Sequence, residues 1–101
     1  MVKRVIWTET AKQARREILE YWIRHNSSKT YSRKLSILFK EKVALIRSQN
    51  YIGKPTNYKD VRATLVHHFT LFYKITEQEI IIVGIWDNRR NPDDLYKNIE
   101  L

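Results

Sequence analysis

A chain of 101 residues, 43% apolar and 12% aromatic, is long enough for one packed core and too short for two. It contains no cysteine, which excludes a disulfide framework and a thiolate zinc site, and its three histidines (His25, His67, His68) are too few and too badly spaced for an imidazole metal site. A formal net charge of +8 points to an anionic partner, whether nucleic acid, ribosome or an acidic protein segment, with a solvated basic surface as the plain alternative.

The chain opens on Val2, Val5, Ile6 and Trp7, which mark a short first strand of β-branched and aromatic residues. Thr8 or Thr10 can then cap a helix, and Glu9 suits its positive end. Ala11, Ala14, Ile18, Tyr21 and Trp22 recur at helical spacing, with Lys12, Arg15, Arg16 and Glu20 mainly on the other face. Asn26, Ser27 and Ser28 break the pattern and can cap a second helix, whose apolar stripe is Tyr31, Leu35, Leu38, Phe39, Leu45 and Ile46. So short a break predicts an antiparallel helical hairpin. Residues 51–59 are loop by their Gly, Pro and Asn content.

Three strands are predicted next, at 61–66, 69–76 and 80–86, joined through His67-His68 and through Glu77-Gln78-Glu79 as an antiparallel meander. The last of them, from Ile80 to Trp86, is too apolar for a half-exposed strand and reads as covered on both faces. Pro92 forbids further central pairing. The predicted architecture is a single α+β domain over residues 1–101 in the order β-α-α-β-β-β. Its helical hairpin packs on one face of a mostly antiparallel, twisted four-stranded sheet, and the first strand joins at an edge or pairs with the last. Charge divides unevenly over this plan. Residues 1–62 carry 15 Lys/Arg against 5 Asp/Glu, and residues 63–101 carry 4 against 6, so the helical half is the basic one. No apolar h-region follows Lys3 and Arg4 and no run is of membrane length, so the expected location is the cytosol, with no membrane partner.

The candidate functional residues cluster after the terminal strand. Arg89 and Arg90, with Asn88 and Asn91 on either side, emerge from a rigid strand end, where guanidinium groups can bind a phosphate bidentately or stabilise charge on a phosphodiester. The alternative is surface pairing with Asp93 or Asp94. Arg62 is a candidate second phosphate clamp, or a partner for Asp60. Trp86 can stack on a base or fill the core. His67 and His68 can serve as acid and base, or simply turn the chain; being adjacent, at most one can share a site with Arg90. Tyr96 can protonate a leaving group or cover an apolar edge. Trp7, Trp22, Phe39, Phe72 and Tyr73 are assigned to the core.

The stretches Leu71-Phe72-Tyr73-Lys74-Ile75 and Ile85-Trp86-Asp87-Asn88-Arg89-Arg90-Asn91-Pro92, with the element order and basic charge, resemble the RelE/ParE toxin superfamily of bacterial type II toxin–antitoxin systems. The resemblance runs from Val5 to Leu95 and implies a toxin held inactive by an acidic antitoxin in a hetero-oligomer, with no cofactor. Two activities share this fold. ParE-like members poison DNA gyrase; RelE-like members cut mRNA on the ribosome without a metal, using lysines on the second strand, an arginine on the third, an arginine after the fourth and a tail tyrosine. Arg90 takes the post-strand arginine position and Tyr96 the tail tyrosine. Thr70 falls where the third-strand arginine belongs, and the lysine positions fall near Val61 and Ala63, with Lys59 and Arg62 close by. The resemblance therefore implies a ParE-like toxin before a RelE-like nuclease, with a degenerate, non-toxic binding module as the remaining reading.

Overall fold

The computed structural model describes residues 2–90. Its elements run β1 (Arg4–Trp7), α1 (Glu9–Asn26), α2 (Thr30–Ser48), β2 (Lys54–Pro55), β3 (Val61–Val66), β4 (Phe69–Ile75) and β5 (Glu79–Asp87). Each helix boundary has a local cause. The Thr8 hydroxyl accepts the Ala11 amide at 3.1 Å, and Glu9 lies in the first turn of α1. That helix stops at Ser27, which takes a left-handed φ of 50°, while the amide of Ser28 returns to the Ile23 carbonyl at 3.2 Å. Ser28 then leads into α2, its hydroxyl accepting the Thr30 amide at 3.2 Å. Ser27 and Ser28 thus lie at the break between the helices, but the N-cap position of α2 is Lys29, which makes no side-chain capping bond, so the expected polar cap of that helix is not formed.

The sheet order is β1-β5-β4-β3-β2. β3, β4 and β5 form the antiparallel meander, and β1 pairs in parallel with β5, opposing Arg4 to Glu79 and Trp7 to Ile82. The sheet is therefore mixed and has five strands, against the four expected. The extra one, β2, opposes Lys54 to Ala63 and Pro55 to Arg62 at the outer edge. It escapes a sequence reading because two residues carry no periodicity, and a proline is tolerated there only because the edge asks for no donor on its outer side.

Both helices lie on one face. Ala11 and Ala14 of α1 and Leu35, Phe39 and Ile46 of α2 bury against Phe69, Leu71, Tyr73, Ile80, Ile82 and Ile85. The opposite face carries a second cluster of Val61, Phe72, Val83 and Trp86. β5 supplies both by alternation, Ile80 and Ile82 on one face and Ile81 on the other, and a bulge then shifts the alternation. Phe72 opposes Gly84 and Tyr73 opposes Ile82, so Val83 is an extra residue and the in–out parity shifts by one. The all-apolar run predicted to be covered on both faces is so covered: residues 82–86 are buried without interruption.

Tyr73 ties the loop after α2 to this core. Its buried hydroxyl donates to the Asn50 carbonyl at 2.7 Å and accepts the Gly53 amide at 2.9 Å. A side chain at Gly53 would put a Cβ only 2.7 Å from the Tyr73 ring and hydroxyl, so glycine is required by close approach. Two tryptophans expected in the core are instead half-buried at its margins, Trp7 beneath Arg15 and Trp22 beneath Arg89. Leu45, expected on the apolar stripe, is exposed.

Candidate functional site

The end of β5 is anchored before its arginines begin. The Asn88 amide donates to the His68 carbonyl at 3.0 Å, which ties the chain to the β3–β4 turn. The hydroxyl of Thr70 lies 2.7 Å from Asn88 Oδ1 and donates to it. Two residues further, the Arg90 amide donates to the Asp87 carbonyl at 3.0 Å, closing a turn. Arg89 and Arg90 therefore occupy fixed positions and leave the strand in different directions.

Arg89 points towards the helices. Its guanidinium lies 4.9 Å from the Trp22 ring centre and 5.9 Å from that of Phe69. Nε and Nη2 each donate to a carboxylate oxygen of Asp87 at 2.9 Å, and the Arg89 backbone amide adds a third bond to the same carboxylate at 3.0 Å. Burial would raise the Asp87 pKa, but the side-chain and backbone bonds from Arg89 and the charges of Arg89 and Arg90 outweigh it and hold the carboxyl below its ordinary range. The same bond to Asp87 raises the pKa of Arg89. Arg89 is thus a fixed cation within a two-point fork.

This fork forms one wall of an open cleft of about 670 Å³. Ala14, Ile18, Trp22, Phe69 and Ile85 supply apolar lining, and Glu17, Tyr21, Arg24 and Arg90 complete it. An aromatic group continues from the cleft along that end of the molecule. Tyr21 stacks on His25, Trp22 meets Tyr31 edge-on at 5.0 Å, and Tyr31 approaches His67, which stacks on His68. His67 and His68 are the two central residues of the β3–β4 turn, the bland alternative of the sequence reading, and His67 holds a φ of 58°.

Arg90 instead lies over Trp86, 4.8 Å from its ring centre, and Trp86 belongs to the cluster on the face away from the helices. Trp86 is only 4% exposed, so its ring packs in the core and supports the arginine above it. Among the described residues no acidic side chain forms a salt bridge with Arg90.

Arg62 does not join this group. It opposes Tyr73, four residues along β4 from Phe69, a separation of about 13 Å at the usual strand rise. There its guanidinium donates to the Gly53 carbonyl at 2.6 Å and covers the Tyr51 ring at 4.8 Å. It serves the same loop as Tyr73. Tyr96, Asp93 and Asp94 lie outside the described residues. The described residues contain no group of His, Asp or Glu that could hold a metal ion. The participants that sequence reasoning missed are Asp87 and Trp22. Asp87 carried a usable signal, since a carboxylate two residues before an arginine at a strand end can fold back on it; helical periodicity could not separate Trp22, at the rim of the stripe, from its centre.

Comparison with known proteins agrees with this geometry. The family model described as ParE toxin of type II toxin-antitoxin system, parDE, matches residues 5–92. A solved structure titled "Chromosomal ParDE TA system from P. aeruginosa" superposes with a TM-score of 0.74 at 18% identity, covering 85% of this chain and 96% of that one, which establishes a shared fold. No curated protein matches this chain in sequence. Among the described residues no helix is long and apolar enough to cross a membrane.

Proposed function

The chain belongs to the ParE toxin family of type II toxin–antitoxin systems, and from that premise we propose that it arrests growth by inhibiting DNA gyrase in the cytoplasm, while an acidic antitoxin bound to it in a hetero-oligomer keeps it inactive. The observation that carries this reading is the family match over 5–92. One local feature supports gyrase over the ribosome. RelE-type cleavage asks for a third-strand arginine to stabilise the phosphorane, and that position holds Thr70, whose hydroxyl is already committed to Asn88.

In this proposal Arg89 and Arg90 are the target-contacting residues. The fork to Asp87 and the ring of Trp86 hold them in place, so little side-chain entropy is lost when a partner binds. Arg62 is proposed in a supporting role, keeping the loop at Gly53 in place. The partner's acidity follows from the charge of the helical half, which offers a strong field to a negatively charged segment.

Induction of the chain alone in bacteria tests the proposal. DNA-damage signalling should rise early, with linearised DNA, and translation should fall only later. Prompt translation arrest with codon-spaced mRNA cuts would replace the gyrase reading, and unimpaired growth would remove it.

A further inference from the structure

Where α1 gives way to α2, aromatic rings gather at the surface. Tyr21 is 46% exposed, stacks on the exposed His25 with ring centres 5.4 Å apart, and meets Trp22 edge-on at 5.0 Å. Trp22 carries the row on to Tyr31 at 5.0 Å, and these two are half-buried. Helical spacing puts residues 21, 22 and 25 on one side of α1, and the left-handed turn at Ser27 brings Tyr31 of α2 alongside. Trp22 and Tyr31 pack against the main core, whereas Tyr21 and His25 belong to neither core cluster. Their rings meet water, and a contiguous exposed patch of this kind marks a surface that receives a partner.

Cations stand along the same row. The Arg89 guanidinium lies 4.9 Å from the centre of the Trp22 ring; Asp87 takes its Nε and Nη2, and Nη1 makes no hydrogen bond among the described residues. Arg24 reaches Glu20 only at 3.9 Å, and its side chain is 71% exposed. The cleft lining holds three arginines against two carboxylates, Glu17 and Asp87, and Asp87 is spent on Arg89. An acidic peptide would use the cations and leave the rings idle. An apolar one would do the reverse. An unpaired nucleic-acid strand uses both, because every base has a π-face and every linkage a negative charge. A duplex keeps its base faces inside its own stack.

We infer that the cleft beside α1 receives an unpaired nucleic-acid strand, with a base stacked on Tyr21 and the adjoining phosphates on Arg24 and Arg89. This deepens the gyrase reading and rests on it only for the source of the strand, the DNA that gyrase opens.

The probe is a fluorescein-labelled oligo(dT) of about twelve nucleotides, titrated with the full chain and followed by fluorescence anisotropy. Affinity should fall with salt, with a log–log slope of about −0.7 for each phosphate neutralised. An abasic strand of equal length, with the same charge and no bases, should bind about tenfold more weakly. Tyr21→Ala should weaken oligo(dT) binding about tenfold, and Tyr21→Phe should bind like wild type. Tyr21 lies on the surface of a helix that alanine favours, so the loss is not one of fold. Binding of oligo(dT) at least as tight as oligo(U) supports DNA as the source; a tenfold preference for oligo(U), with the same dependence on Tyr21, supports the stacking site with RNA as the source. Failure to bind either strand, equal binding of the abasic strand, or full binding by Tyr21→Ala would overturn the inference. The gyrase reading is scored apart, by supercoiling. A chain that blocks supercoiling yet binds neither strand would give the cleft to a protein surface of the target and strike the inference alone.

Discussion

Asp87 holds Arg89 by both carboxylate oxygens, 2.9 Å each, from only two residues upstream, and the same carboxylate accepts the Arg89 amide at 3.0 Å. A wall of the cleft beside α1 is therefore made by a local turn, and its positive charge is aimed before any partner arrives.

Asp87→Asn should release that aim with a small effect on stability. The Arg89 side chain is 46% exposed, so the pair contributes in the range of exposed ion pairs, about 0.2–1 kcal/mol. The pH dependence has a definite sign. The folded carboxyl titrates below its unfolded range, so its contribution is present above about pH 4 and is lost as pH falls through the depressed folded value. Urea denaturation should show wild type ahead of Asp87→Asn at pH 7, with the gap closing in acid. A gap that widens in acid would contradict this origin.

Tyr73→Phe removes one hydroxyl that serves both the Asn50 carbonyl and the Gly53 amide, at a cost of roughly 1–3 kcal/mol. Gly53→Ala should cost a similar amount, about 1–3 kcal/mol, because its Cβ meets the Tyr73 ring. Both changes act on one contact, so their effects should be less than additive in a double-mutant cycle. Simple additivity would show that the two substitutions act on separate contacts. Burial raises the Tyr73 pKa against the opposing effects of Gly53 and Arg62, so the contribution of this tyrosine is complete in neutral solution and is lost as pH rises through the folded value.

His67→Gly should stabilise the protein. A φ of 58° is strained for a side-chain-bearing residue and free for glycine, and relief of about 1 kcal/mol raises Tm by roughly 4–8 °C in a domain of this size. If His67 only turns the chain, growth arrest should be unchanged. A stabilised variant that has lost toxicity would place the imidazole in the site.

The elements that were legible in the sequence are those with long-range periodicity. β3 was read at its observed limits, the two helices at their observed faces apart from Tyr21 and Leu45, which are exposed, and β5 as a strand covered on both sides, as an unbroken apolar run between two turns suggests. The bulge at Val83 was not legible, since a parity shift leaves no mark in a run that is apolar throughout. β2 was invisible for want of length. At the site, the position of the arginines was legible and their directions were not. Arg89 turns to Trp22 and Arg90 to Trp86, a division that depends on a turn geometry the residue types do not specify. Arg62 looked like a third member only because sequence reading could not see that Gly53 and Tyr51 claim its guanidinium.

Inhibition of gyrase by this ParE-family chain, proposed above to run through the arginines at the end of β5, can be measured with purified components. Its most direct test adds the purified chain to gyrase, ATP and relaxed plasmid, alongside an Arg90→Ala variant with an unchanged Tm. The account predicts that wild type blocks supercoiling and accumulates linear plasmid, and that Arg90→Ala needs about tenfold more protein, the loss expected for one well-placed charged contact. Unimpeded supercoiling in the presence of excess folded wild type would contradict it.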